Sequence, residues 1–190
     1  LGLILLAMNE VCIGLMMALV IRLVFFAIQF AGHVISYEIG LMASNSVNPL
    51  LGSSDSTITS LLYYFGLLLF FVTGIHYDVL TALAGSLQAM PVGKFLMSTN
   101  PVEEFVRMTT QVFIIGTLMS APFIAMNFLV NIAFAVLGKA VPKMNVFITS
   151  FAVRILCGLL LLVSCALLIT SYIVETGRQS AGSALLLVSQ

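Results

Sequence analysis

From Met108 to Gly138 the chain runs for 31 residues without an Asp, Glu, Lys or Arg. Between Asp55 and Asp78 lie 22 more such residues, and between Arg22 and Glu38 another fifteen. In an apolar solvent every backbone polar group must be satisfied within its own segment, and an α-helix does that alone. The expected fold class is therefore all-α, with long hydrophobic helices forming helical hairpins. Soluble domains carry about a quarter charged residues, whereas here 61% of 190 residues are apolar and only 7% charged. Seven basic and seven acidic residues cancel, which removes any electrostatic case for a nucleic-acid partner. Trp is absent, so the usual interfacial anchors are weak.

Taken in order, residues 1–39 read as a first helix, interrupted only by Glu10, Arg22, Gln29 and His33. At 1.5 Å per residue it is about 58 Å long, against a hydrocarbon core of about 30 Å. Tilt alone does not absorb that excess. Either the helix breaks near Gly14 or Gly32, or protein sheathes much of it. A second helix is expected over 58–89, with Asp55, Ser56 and Thr57 as N-cap candidates and Pro91 beyond its end. The third opens at Asn100-Pro101, with Glu103 and Glu104 suiting the positive end of its dipole. It ends near Gly138 and should kink at Pro122. Asn127 and Asn131, four apart, share a face and should meet a neighbour. A seven-residue connection, KAVPKMN, leads to a fourth helix over 146–175. The tail 176–190 has no assigned conformation. If every helix spans, two basic residues oppose three, and the positive-inside rule gives no orientation.

Residues 40–57, GLMASNSVNPLLGSSDST, stand apart. This stretch is small, polar and flexible, with one charge (Asp55), and encloses itself between stiff apolar runs. It reads either as a plain linker or as a functional segment, and its length favours function. Glu10, Arg22, His33, Glu38 and Arg154 sit in or at the edge of apolar helices. Ionisable groups there are costly and mark pairings or pathways, and assembly pairing is the favoured reading. Cys12, Cys157 and Cys165 have no metal spacing. Cys157 and Cys165 lie about 12 Å apart along one expected helix, too far to bridge. No HExxH, GxSxG or phosphate loop occurs, and neither an enzyme nor a cofactor is expected.

Several blocks resemble the FliR/SctT family of type III export-gate proteins. They are Ala31-Gly32, Ile35, Gly40, Ala43 and Asn48-Pro49; then Gly74-Ile75-His76 with Leu80, Leu83, Ser86 and Pro91-Val92-Gly93; then Pro142-Lys143-Met144-Asn145-Val146-Phe147, with Arg154 where the family often has a basic residue. They keep the family's order over about residues 9–160. Asn48 departs from the family, which commonly carries Asp before the proline. The Gly-x-His and Pro-x-Gly block looks more flagellar than injectisome-like. On this resemblance the chain is expected to be a fragment lacking the family's first helices.

The resemblance implies a FliP-like part over 1–100 and a FliQ-like hairpin over 101–175, followed by the tail. It implies assembly with FliP-like, FliQ-like and FlhB-like subunits, passage of unfolded export substrates, and a place in the bacterial inner membrane at the flagellar basal body, the gate raised above the membrane plane. It also implies that Gly40, Leu41, Met42, Ala43, Ser44, Asn45, Ser46, Val47 and Asn48 plug the pore, with Leu41, Met42 and Val47 sealing the lumen. The rival expectation is a stand-alone multi-helix transporter using Glu10, Arg22 and His33 for coupling; a third is a scaffold with an inert loop.

Overall fold

A computed structural model describes residues 2–44, 56–89, 101–141 and 145–189. These residues form six α-helices, one 3-10 turn and no strand: α1 (Gly2–Ile39), the turn (Leu41–Ser44), α2 (Thr57–Val72), α3 (Ile75–Ala89), α4 (Pro101–Ala140), α5 (Val146–Ser164) and α6 (Ala166–Ser189). The chain is all-α, as the uncharged runs require.

Helix α1 is continuous for 38 residues, so neither Gly14 nor Gly32 breaks it. Its C-terminal half is instead sheathed by the rest of the chain. Ile28, Ala31, Ile35 and Ile39 join Ile58, Leu62 and Leu69 of α2, Met119 and Phe123 of α4, and Ile169 and Ile173 of α6 in one core. The spacing of three, four and four in α1 is the stripe of an amphipathic helix. Gly32 is where α2 comes closest: a Cβ there would lie 2.8 Å from Thr59 Cα. Farther toward the N-terminus the side chains open out, and Met8, Val11 and Leu15 are exposed.

Two expected helices are broken. The run 58–89 bends by 66° between α2 and α3. Gly74 adopts φ +78°, a left-handed conformation that glycine takes without steric cost, and its N–H turns back to Phe71 O at 3.3 Å. The Phe70 carbonyl loses its usual partner four residues on, and His76 Nδ1 stands 3.5 Å from it. The run 146–175 breaks at Cys165 and resumes as α6, which carries helix through the tail to Ser189. At that break Ser164 Oγ donates to Leu160 O, a side-chain bond that bends helices. The two cysteines therefore do not share one helix; both are half-buried and free. Helix α4 passes Pro122 without interruption and ends at Ala140, two residues past Gly138.

Helices α1 and α4 run parallel, since Phe30 stacks edge-on to Phe113 and, farther along both, Glu38 meets Asn127. Helix α2 returns antiparallel, with Gly32 beside Thr59 and Phe25 beside Phe70. Helix α5 is antiparallel to α4, with Val146 beside Gly138 and Arg154 beside Asn131. The end of α1 thus points to the end of the bundle where α4 stops and α5 begins. Three stretches among the described residues are long and apolar enough to cross a membrane, Ala18–Ile39, Val106–Ala140 and Val146–Ser164, and the bent α2–α3 pair makes up to four. Their outward faces are apolar: Phe147, Leu160, Val163 and Leu167 are among the exposed side chains of α5 and α6.

Candidate functional site

The loop between α1 and α2 leaves from a built root. Helix α1 stops at Gly40, where φ is +91° and the N–H is shared between Ser36 O at 3.2 Å and Tyr37 O at 3.0 Å. A side chain is disfavoured twice at this position. The backbone is left-handed, and a Cβ would press on the Phe151 ring of α5 at 3.1 Å. The chain then makes the 3-10 turn Leu41–Ser44. Leu41 packs against the core and Met42 is half-buried. Leu41 thus has one side against the core of its own subunit. Ala43 and Ser44 lie in the turn's backbone, while Asn45, Ser46, Val47, Asn48 and Pro49 lie outside the described residues.

The other end of the loop returns to nearly the same place. Ser56 precedes α2 at the N-cap position, but its hydroxyl makes no cap bond. It donates instead to Ser36 Oγ at 2.5 Å, and Ser36 Oγ donates in turn to Gly32 O at 2.7 Å. Both serines are buried, so each hydroxyl needs a protein partner. The intervening segment is thereby closed on itself one turn from the end of α1. Ser36 lies four residues from Gly32, on the stripe of Ile28, Ile35 and Ile39. A hydroxyl on such a stripe is a legible signal of a buried partner, but the identity of that partner is not.

A second polar feature braces the root from the other side. Asn127 Nδ2 donates to Glu38 Oε2 at 2.5 Å. Asn131 Nδ2 donates to Asn127 Oδ1 at 3.4 Å. Arg154 Nη2 donates to Asn131 Oδ1. A carboxylate on α1 is thus joined to a guanidinium on α5 through two amides on α4. Arg154 Nε is buried without a hydrogen-bond partner among the described residues. The structure brings Glu38 and Arg154 into one chain. Arg22 and His33 are exposed, and Glu10 lies far up α1 with its side chain outside the described set.

The remaining motif residues divide in the same way. Gly74 and His76 form the α2–α3 bend, where His76 stacks on Tyr77 at 4.0 Å and lies 5.3 Å from the Phe71 ring. Asn145 caps α5, its Oδ1 accepting from Ile148 N at 3.4 Å. Phe147 is 81% exposed. Pro91, Gly93 and Pro142 lie outside the described residues. No group of three His, Cys, Asp or Glu among the described residues could hold a metal ion.

Comparison with known proteins covers the same span as this geometry. The family model for bacterial export proteins, family 1, matches residues 1–179. The chain belongs to that family. Among its relatives, the flagellar biosynthetic protein FliR of Aquifex aeolicus is 30% identical over 166 residues, covering 86% of this chain and 63% of the relative. The Bacillus subtilis FliR is 28% identical over 165 residues, 85% of this chain and 63% of the relative. The Yop proteins translocation protein T of Yersinia pestis is 28% identical over 160 residues, 83% of this chain and 61% of the relative. The chain spans about three fifths of the length of the curated relatives it matches. A flagellar and a Yop translocation relative match at the same identity, so the family assignment embraces both kinds of export protein.

Proposed function

We propose that this chain is a non-enzymatic subunit of a flagellar-type protein export gate, and that residues 40–48 plug the pore through which unfolded substrates pass. The observation that carries the reading is the doubly tied loop root in a member of the bacterial export family. A segment fixed at both ends but poor in packing groups is suited to closing a passage and yielding to a substrate, because local opening is cheap where few apolar contacts are made.

Helix lengths support a protein-sheathed setting. At 38 and 40 residues, α1 and α4 are about 57 and 60 Å long, twice a hydrocarbon core of about 30 Å. Exposed apolar side chains along α1, α4 and α5 would be covered partly by lipid and partly by partner subunits. FliP-like, FliQ-like and FlhB-like chains are the proposed partners, and the bacterial inner membrane at the flagellar basal body the proposed location, the gate raised above the membrane plane. Residues 1–100 form the FliP-like part in this reading, and the α4–α5 hairpin, continued by α6, the FliQ-like part. A transporter using Glu10, Arg22 and His33 would have to couple groups strung along one unbroken helix, spread over about 34 Å.

Affinity purification from the native membrane tests the subunit claim. A gate subunit comes out in a stable complex with FliP- and FliQ-like chains. Recovery of a monodisperse, stable protein without them contradicts it.

A further inference from the structure

The four-residue polar chain has a direction. A carboxylate only accepts hydrogen bonds and a guanidinium only donates, so each amide between Glu38 and Arg154 has one admissible orientation. Arg154 donates to Asn131, Asn131 to Asn127, and Asn127 to Glu38. The middle link, Asn131 to Asn127, is the longest at 3.4 Å, and Asn131 is exposed. Glu38 lies two residues before the left-handed Gly40, and Phe151, one turn before Arg154 on α5, packs where a Cβ at Gly40 would sit. The chain therefore fastens the last turn of α1 to α4 and α5 where the loop departs.

We infer that Asn127 and Asn131 are positioning residues. They form a directional latch that carries the charge of Arg154 to Glu38 and holds the loop root in place, with its weakest joint at Asn127–Asn131. Parting that joint leaves Asn127 on Glu38 and Asn131 on Arg154 but uncouples the two opposite charges within apolar helices, a state such surroundings disfavour. The latch thus resists displacement of the root and re-forms once the root returns. The consequence for pore closure rests on the plug reading; the latch itself does not.

Near-isosteric substitutions test it in the assembled gate. In Asn131→Asp the new carboxylate still accepts from Arg154 but no longer donates to Asn127. Asn127 cannot then serve both neighbours, because it must turn its oxygen to one of two carboxylates. Adding Glu38→Gln restores a continuous order: Arg154 and Asn127 both donate to position 131, and the amide at 38 donates to Asn127. The readout is the labelling rate of Met42→Cys by a membrane-impermeant maleimide, with Cys12, Cys157 and Cys165 replaced by Ala. Asn131→Asp should label about tenfold faster, the scale of one lost hydrogen bond, and the double variant should return close to the parent. A parental rate in Asn131→Asp, or a double variant as fast as or faster than the single, overturns the latch. Should Asn131→Asp fail to enter the complex, recovery of assembly in the double variant supports the inference and continued failure overturns it. Ion leak separates the two readings. If deletion of residues 40–48 leaks while Asn131→Asp labels at the parental rate, only the latch falls. If labelling follows the expected pattern but the deletion does not leak, only the plug reading falls.

Discussion

Two glycines with positive φ, Gly40 at +91° and Gly74 at +78°, end α1 and α2 respectively, yet their surroundings have little in common. Around Gly40 everything is braced. The Phe151 ring lies 3.1 Å from where a Cβ would sit, the two buried serines close the loop, and the Glu38–Asn127–Asn131–Arg154 chain ties the last turn to two other helices. Around Gly74 the nearest atom to a built Cβ is Tyr77 Cδ2 at 3.8 Å. The bend carries local hydrogen bonds such as Tyr77 N to Gly74 O, aromatic contacts and a long approach of His76 to Phe70 O, with no tie to α4 or α5 among the described residues. The same backbone device thus serves two purposes. At Gly74 it turns one helix into the next, and at Gly40 it launches a loop from a fixed platform.

Substitutions at the two bends should separate them. Gly40→Ala meets both the left-handed strain, about 1–2 kcal/mol, and the Phe151 ring. It should lower the thermal stability of the purified complex by about 2 kcal/mol. Gly74→Ala meets only the strain and should cost about 1 kcal/mol in the same melting experiment. Equal losses at the two sites would erase the distinction between a braced and an open bend. Ser56→Ala removes one buried hydrogen bond but leaves Ser36 bonded to Gly32 O, for a loss of about 1 kcal/mol. Its clearer sign is faster proteolysis within the loop, because one of the two ties is gone. His76→Phe keeps the ring packing and loses only a 3.5 Å polar approach. It should change the melting temperature least, by an amount equivalent to less than about 0.5 kcal/mol.

The sequence discloses the platform's parts more readily than their joining. The uncharged runs mark the long helices, Pro101 opens α4, and Asn145 caps α5. The change of composition at Gly40 marks where α1 ends. Asn127 and Asn131 are legible as one face because they are four apart. Their partner Glu38, 89 positions away, is not, because no local pattern encodes which helix packs alongside. The bend at Gly74 is hidden for a different reason. A lone glycine in an apolar run costs a helix only about 1 kcal/mol, so periodicity alone favours continuing it. The run Leu161-Leu162-Val163-Ser164-Cys165-Ala166 likewise holds no strong breaker, and the Ser164 bond back to Leu160 O just before the interruption at Cys165 has counterparts, such as Ser36 to Gly32 O, in helices that continue. In the tail, Gly177 reads as a weak point, but its missing side chain is what admits Ile75 of α3, and that packing favours helix over local propensity.

Pore closure is proposed for the loop anchored at Gly40 and at the Ser36–Ser56 hydrogen bond. Single-channel conductance of the reconstituted complex with residues 40–48 deleted tests this most directly. The prediction is a steady ion leak in the deletion variant under conditions where the parent complex is silent. A deletion complex that assembles fully and remains as silent as the parent would contradict it.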